Sequence, residues 1–172
     1  MKALSNEFMQ HIAEDEAWKD LSRELHWTET MLEKYANKLD WKEISESSNI
    51  FWTIPMIQKF KNRINWDSLS ENICEESLTE ELVDTFVDKW NWTELSRNSS
   101  LELSDELLAK YADRWDWEEI IDRYRDSVFE KKGIDFYEKF KDYIPASKVQ
   151  GSRLWSEIVS QRKSQLLNEI IA

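Results

Sequence analysis

The chain has 172 residues, a formal net charge of −12, two glycines, two prolines and one cysteine, Cys74. The excess of acid disfavours binding to nucleic acid through its phosphates, and a single cysteine excludes a disulfide within the chain. Glycine, valine and threonine are scarce, which disfavours strands and glycine-rich loops, so the composition indicates an all-α protein.

One pattern repeats five times between residues 4 and 121. Each copy is counted from a Ser or Thr at repeat position 0, and the copies begin at Ser5, Thr28, Thr53, Thr79 and Ser104. Apolar residues follow at repeat positions 3, 4, 7 and, outside the first copy, 11. This is the spacing of one face of an amphipathic helix. Repeat position 13 is always Trp, with 23 to 26 residues between successive copies: Trp18, Trp41, Trp66, Trp92 and Trp117.

The polar residues of each copy indicate where two short helices begin. The hydroxyl at repeat position 0 is a good N-cap, because it accepts a bond from a backbone N–H that has no intrahelical partner. The apolar residue before it, Leu4 in the first copy, can form a hydrophobic staple. Repeat position 12, directly before the Trp, holds a second set of caps: Asp40, Asn65, Asn91 and Asp116. Glu43, Glu94 and Glu119 stand three residues later, in a capping-box arrangement. The Ser near the end of each second helix, as in Ser96, is expected to bond to nearby backbone.

The repeats predict the architecture of the whole chain. The first copy is degenerate, since Glu14, Asp15 and Glu16 bring charge to its end, as expected of a terminal repeat. We predict an all-α, α-solenoid-like stack of about five short helical hairpins in a single domain over residues 1–172. Residues 4–121 form the repeats and residues 122–172 form C-terminal capping helices.

The segment after Trp117 departs from the pattern. A helical stripe is predicted to continue for about four turns through Ile120, Ile121, Tyr124 and Val128. Gly133, which follows Lys131 and Lys132, is predicted to be a left-handed C-cap. A short helix then carries Phe136, Phe140, Tyr143 and Ile144, and Pro145 ends it.

The last thirty residues are predicted to form a loop and one long helix. Residues 144–152 are rich in helix breakers and are assigned to the loop. Ser152 can cap the helix, whose apolar side holds Leu154, Trp155, Ile158, Val159, Leu166, Leu167, Ile170 and Ile171. We expect this helix to fold back over the last repeat as a C-terminal lid, with a separate interaction arm as the alternative.

The five repeated Trp residues allow two interpretations. An exposed ladder of rings could bind sugars or an extended peptide. A ring at the start of each second helix could instead be a wedge between neighbouring hairpins, and burying one ring contributes on the order of several kcal/mol. The wedge is the simpler interpretation.

No group of residues indicates catalysis, a cofactor or a metal. His11 and His26 are far apart, Cys74 has no C-x-x-C partner, and no phosphate-binding glycine loop or G-x-S-x-G elbow occurs. The acidic clusters 75–81 and 118–122 are explained by helix caps and solvated surface. We predict a protein that is not an enzyme and binds no cofactor or metal; an enzyme built on the acidic clusters is an alternative.

The sequence also bears on location. No apolar run approaches the roughly 20 residues that span a bilayer, and the N-terminal residues lack the features of a signal peptide. We expect a cytoplasmic protein without a membrane partner.

The motif W-x-x-L-S-x-N, at residues 66–72 and 92–98, resembles Trp-containing short α-helical repeats of uncharacterised bacterial and giant-virus proteins. The resemblance covers residues 4–121. The first copy lacks the Asn, and the fifth reads W-E-E-I-I without the Ser. The resemblance implies an α-solenoid and no particular activity.

The leading functional hypothesis is a non-enzymatic helical-repeat scaffold that binds a protein partner. The candidate binding residues are Lys148 and Arg153, which fit no rule of the repeat. Residues 1–126 hold 29 acids and 15 bases, which supports an alternative: an acidic inhibitor or immunity-type protein for a basic partner, or a nucleic-acid mimic. The sequence leaves the oligomeric state open.

Overall fold

A computed structural model describes residues 6–123 and 128–171, and the regular elements in these ranges are all α-helices. The predicted all-α class is therefore confirmed. Contacts divide the chain into two compact units, Met1–Trp90 and Asn91–Ala172, whose boundary lies in the turn of the fourth copy. The single domain over residues 1–172 stays a prediction.

The first unit contains six helices in its described part: α1 (Asn6–Glu24), α2 (Glu29–Tyr35), α3 (Trp41–Glu46), α4 (Ile54–Phe60), α5 (Trp66–Asn72) and α6 (Glu80–Thr85). Helix α3 contacts both α1 and α5, so the helices that carry the repeated Trp pack in chain order. Helices α2, α4 and α6 begin after the predicted caps Thr28, Thr53 and Thr79, whose hydroxyls accept from the backbone N–H three residues later.

The second unit contains α7 (Trp92–Arg97), α8 (Asp105–Lys110), α9 (Trp117–Asp122), α10 (Gly133–Phe140), α11 (Ala146–Val149) and α12 (Arg153–Ile171) in its described part. Helix α9 contacts α7 on one side and α12 on the other, and α12 also contacts α10. Ser104 caps α8 as predicted, and Ser152 caps α12 by accepting from the N–H of Trp155 at 3.1 Å.

The second set of caps is also confirmed. Side-chain oxygens of all four residues at repeat position 12 accept bonds from the first turn of the following helix: Asp40, Asn65, Asn91 and Asp116. These bonds explain why each copy breaks into two short helices. A long helix would leave the Asp or Asn side chain without this role, whereas the break lets it satisfy a free N–H.

The first copy differs from the hairpin expected of it. Helix α1 runs without interruption through Trp18 and beyond, over 19 residues. Ala17 stands where the other copies have Asp or Asn, so no side chain is available to cap a second helix there. The predicted cap Ser5 and staple residue Leu4 lie outside the described residues.

The four-turn helix predicted after Trp117 is wrong. Helix α9 ends at Asp122, and Arg123 has an extended backbone with φ −55° and ψ 140°. Its buried guanidinium donates from Nη2 to the carbonyl oxygens of Asn98 and Leu101, both at 2.8 Å. Reaching these carbonyls holds Arg123 out of a helical path. Val128 lies in a bend, and Tyr124 is outside the described residues.

Helices α10 and α11 form a hairpin at the place of a sixth copy, and the sequence pattern does not predict it. We call it the sixth hairpin, counting by copies. With Gly133 at repeat position 0, Phe140, Ile144 and Val149 fall at positions 7, 11 and 16. All three are buried, as are the residues at these positions in the third copy, Phe60, Ile64 and Leu69. The N–H groups of Tyr143 and Ile144 both donate to the carbonyl of Phe140, at 2.9 and 3.1 Å. The turn of the second copy has the same pair of bonds, from residues 38 and 39 to the carbonyl of residue 35. The predicted loop over residues 144–152 is therefore wrong at residues 146–149, which form α11.

Gly133 begins a helix and is not the C-cap that was predicted. The left-handed residue is Lys131, with φ 61°. A Cβ atom on Gly133 would lie 3.0 Å from the backbone nitrogen of Ile158, so the glycine permits close packing of α12 against α10. Helix α10 has no side-chain cap of its own. Gln161 of α12 takes that role by accepting from the N–H of Ile134 at 3.1 Å, and Glu157 accepts from the N–H of Lys131, just before the helix, at 2.9 Å.

Each repeated Trp packs against the aromatic residue at repeat position 7 of the next hairpin, as a wedge would, although only Trp117 is buried and the other four rings are half-buried. The ring centroids are 5.3, 5.1, 5.5, 5.1 and 5.0 Å apart in the pairs Trp18–Tyr35, Trp41–Phe60, Trp66–Phe86, Trp92–Tyr111 and Trp117–Phe140. The indole N–H of Trp41, Trp66 and Trp117 donates to the carbonyl at repeat position 8 of its own copy, at 2.8 to 3.0 Å. These bonds fix the orientation of the three rings within their own copies, whereas the indole N–H of Trp18 donates to Glu14.

The repeated Ser links successive hairpins. The hydroxyl of Ser45 donates to the carbonyl of Trp41 at 2.6 Å and accepts from the backbone N–H of Asn65 at 3.0 Å. Ser22 and Ser96 make the equivalent pairs of bonds, to Asp40 and Asp116 in the next copy. This N–H is the one that a capping-box Glu would otherwise bind, so the preceding hairpin supplies the acceptor in its place.

The Ser link is absent between the fifth and sixth hairpins. Ile121 occupies the position of the Ser, and Pro145 occupies the position of the N–H donor. Because the acceptor and the donor are both lost, neither is left unsatisfied when the two hairpins pack.

Candidate protein-binding surface

The two predicted binding residues both attach to helix α9. Lys148 lies in α11 rather than in a loop, and its Nζ donates to Glu118 Oε1 at 2.7 Å. This bond, and then the negative charge of Glu118, raise the pKa of Lys148 above its usual range. Arg153 is the first residue of α12, and its backbone N–H donates to Asp122 Oδ1 at 3.2 Å. Glu118 and Asp122 are one turn apart on α9, so the two predicted residues join α11 and α12 to the same helix.

The acidic clusters form no metal centre in the described residues. Within residues 6–123 and 128–171, no three His, Cys, Asp or Glu side chains are grouped so that they could hold an ion. His26 Nδ1 lies 3.0 Å from the carbonyl oxygen of Asn49, and Cys74 Sγ lies 3.4 Å from Ser77 Oγ. These contacts are local to turns of the first unit.

Each repeated Trp ring contacts side chains of the next hairpin, which argues against a ladder for sugars. Besides the aromatic at repeat position 7, the residue at position 10 lies over the ring. Lys38 lies 5.1 Å from Trp18, and Arg114 lies 5.7 Å from Trp92. In the sixth hairpin Tyr143 takes this position and stacks on Trp117 at 5.7 Å.

Helix α12 uses one of its faces to pack within the second unit. Leu154 is fully buried and Ile158 is partly buried, while Glu157 and Gln161 cap α10. All four lie in the first half of the helix. The predicted lid is therefore confirmed for this half only.

The opposite face of α12 is apolar and exposed. At about 100° per residue, Trp155, Val159, Leu166 and Ile170 fall within about 60° of one another, on the side away from Leu154. Their exposed fractions are 39, 47, 41 and 80%. We call these four residues, with Leu167 at 56%, the outward stripe. The sequence prediction that all apolar residues of α12 share one packed side is wrong, because they form two faces.

Charged side chains flank the outward stripe. Arg162 and Glu169 lie on the same edge, two turns apart, with Arg162 Nη1 3.6 Å from Glu169 Oε1. Lys163 lies within the stripe, between the levels of Val159 and Leu166. An apolar centre with a charged rim is the usual composition of a surface that binds protein.

A second exposed apolar group lies at the start of the first unit. Phe8, Met9 and Ile12 of α1 occupy repeat positions 3, 4 and 7, and each is exposed. Leu32, at position 4 of the second copy, is fully buried. Repeat position 4 is therefore exposed in α1 and buried in the second copy.

Comparisons with known proteins give no relative: no family model, no curated protein and no solved structure matches this chain. The resemblance to Trp-containing repeats therefore stays a prediction. In the part of the chain that the structure describes, no helix combines the length and apolar character needed to cross a membrane.

Sequence reasoning missed the outward stripe although its signal was present. The spacings of 4, 7 and 4 residues from Trp155 to Ile170 return to the same side of a helix. Leu154 and Ile158 fall on the other side by the same count. The two sets were merged because their residue types are alike.

Proposed function

We propose that the chain is a non-enzymatic helical-repeat scaffold that binds another protein through the outward stripe of α12. The observation that supports it best is the exposure of Val159, Leu166 and Ile170 along one line of a helix whose first half is packed on its other face. Exposed apolar side chains are unfavourable in water, and burying them against a partner lowers the free energy.

The non-enzymatic part of the proposal is supported by the roles of the repeated polar residues. Ser96 bonds to the carbonyl of Trp92 and to the N–H of Asp116, and Asp116 in turn caps α9. The residue types that sequence inspection would first suspect of chemistry thus hold hairpins together. We also propose a cytoplasmic location, which is consistent with a chain whose single cysteine, Cys74, forms no internal disulfide.

The test is capture from cells that produce the chain, with two matched variants as controls. Leu166→Glu combined with Ile170→Glu adds two charges to the outward stripe. Ser164→Glu combined with Asn168→Glu adds the same charge to exposed positions of the same turns, about 160° away.

We expect a protein that the wild-type chain and the Ser164/Asn168 variant retain equally, and that the Leu166/Ile170 variant retains about tenfold less or not at all. Circular dichroism of the three chains checks that each is equally folded. Identical retention by all three chains would remove α12 from the account.

The acidic inhibitor remains a second candidate, supported by the net charge of −12. Charge-steered association weakens as salt screens it. A basic partner whose affinity falls steeply between low and physiological ionic strength would favour this candidate, while affinity that is insensitive to salt but lost with Leu166→Glu would favour the stripe.

A further inference from the structure

We propose that the protein that covers the outward stripe is a second copy of this chain, with the two α12 helices side by side and antiparallel. This inference rests on the proposed function and names the partner of the same surface. The charges on the rim of the stripe favour both this partner and the antiparallel direction of the two helices.

The charge pattern of α12 is complementary to itself when one helix is reversed. Arg162 and Glu169 lie on the same edge, separated by seven residues, which is two turns. An antiparallel pair with its two-fold axis midway between residues 165 and 166 places Arg162 of each copy beside Glu169 of the other. The ion pair that each chain now makes with itself, at 3.6 Å between exposed side chains, is thereby exchanged for two pairs across the dyad.

A parallel pair lacks this match. It brings Lys163 of one copy level with Lys163 of the other inside the apolar seam, where like charges repel. In the antiparallel arrangement these two lysines are separated by about 7 Å along the helix axis, because each lies near the level of residue 168 of the other copy. The Arg162–Glu169 pair and Lys163 therefore both favour the antiparallel direction of the two helices.

The same arrangement brings the apolar side chains together. Leu166 lies next to the two-fold axis and meets its symmetry mate, while Val159 of each copy lies near the last residues of the other helix. The overlap is about 13 residues, or about 19 Å of helix. A seam of this length belongs to the small interfaces that associate reversibly, so we expect dimers that form with rising concentration. Because the contact is two-fold symmetric, assembly ends at the dimer.

The experiment is sedimentation equilibrium of the purified full-length chain between about 1 and 500 µM, a range that brackets weak dimers. We expect the wild-type mass to rise toward twice that of the monomer. Leu166→Glu should hold the mass at that of a monomer over the whole range, whereas Ser164→Glu should behave as wild type. A wild-type chain that stays monomeric throughout would overturn the inference.

Two charge reversals test the antiparallel register. Arg162→Glu alone places Glu beside Glu169 of the other copy, and Glu169→Arg alone places Arg beside Arg162, so each variant should dimerise at least about tenfold more weakly than wild type. An equal mixture of the two variants restores both pairs across the axis, and its mass should return to the wild-type curve. A mixture as weak as its components would contradict the antiparallel pair.

The outcome also separates this inference from the proposed function. If the pure chain is monomeric but cellular capture is lost with the Leu166/Ile170 variant, the stripe binds a different protein and only the self-pairing is wrong. If capture is also unchanged, both are wrong.

Discussion

The backbone N–H of Asp116 donates to the hydroxyl of Ser96 across the boundary between two hairpins, at 2.9 Å. Ser96 is fully buried and also donates to the carbonyl of Trp92 at 2.6 Å. One hydroxyl thus joins the first residue of α7 to the N-cap residue of α9, so we expect its loss to lower stability.

Ser96→Ala should lower the free energy of unfolding by about 1 to 3 kcal/mol, because the N–H of Asp116 loses its acceptor in a buried place. Ser99→Ala, at an exposed position in the following turn, is the control and should change stability by less than about 0.5 kcal/mol. Urea denaturation of the three chains measures the difference. Equal stability of all three would mean that water replaces the hydroxyl without loss.

Trp90 and Trp115 occupy repeat position 11 of the fourth and fifth copies and have similar surroundings. Each is 5% exposed and each meets the preceding repeated Trp edge to face, at 5.3 and 4.7 Å between ring centroids. The indole N–H of Trp90 donates to the carbonyl of Val83 at 3.1 Å, whereas that of Trp115 is buried without an acceptor in the described residues.

Trp90→Phe should therefore destabilise the protein by about 1 to 3 kcal/mol more than Trp115→Phe. Both changes remove the same volume, but only the first strands a buried carbonyl, and the second removes a donor that has no partner. Urea denaturation of both variants provides the comparison. Equal losses, or a larger loss for Trp115→Phe, would contradict this account of the two indoles.

Gly133→Ala tests how closely α12 approaches α10. The new methyl group would lie 3.0 Å from the backbone nitrogen of Ile158 and 3.1 Å from Glu157 Cγ, so the two helices must move apart. We expect a loss of about 1 to 3 kcal/mol and faster amide hydrogen exchange in the first turns of α12. Asp142→Ala, at an exposed turn position, serves as control. Unchanged exchange in α12 would show that the helices have room for the methyl group.

The sequence predicted best what depends on neighbouring residues. Thr28, Thr53 and Thr79 cap helices because a hydroxyl and a free N–H three residues later are enough, and both can be read from the chain. The break before each Trp is equally local. The same reasoning explains the exception in α1, where Ala17 replaces the capping residue.

The sixth hairpin could not be read this way, because distant residues support it. Gly133 has no hydroxyl, and the N–H groups of Lys131, just before α10, and of Ile134, in its first turn, bond instead to Glu157 and Gln161 of α12. Pro145 and Ala146 stand where other copies have a cap and a Trp. A pattern defined by caps and indoles therefore stops at Trp117, although the buried positions continue.

The binding residues were predicted from a break in the pattern, and the structure gives that break another explanation. Lys148 departs from the repeat because its side chain pairs with Glu118, between the fifth and sixth hairpins, which lack the Ser link. The outward stripe lies outside the repeats, so no break in the pattern marks it. Its spacing is present in the sequence, but the packed face of α12 shows which of the two apolar faces is exposed.

The central claim is that the outward stripe is covered by protein where the chain works. In a Cys74→Ser background, Leu166→Cys places a thiol in the stripe, and Ser164→Cys places one at an exposed position about 160° away on the same helix. Labelling with a thiol-reactive maleimide in the producing cells measures how accessible each thiol is. The account predicts that Leu166→Cys reacts several-fold more slowly than Ser164→Cys in the cell, and that the two react alike in the purified chain at high dilution. Equal labelling of the two thiols in the cell would contradict it.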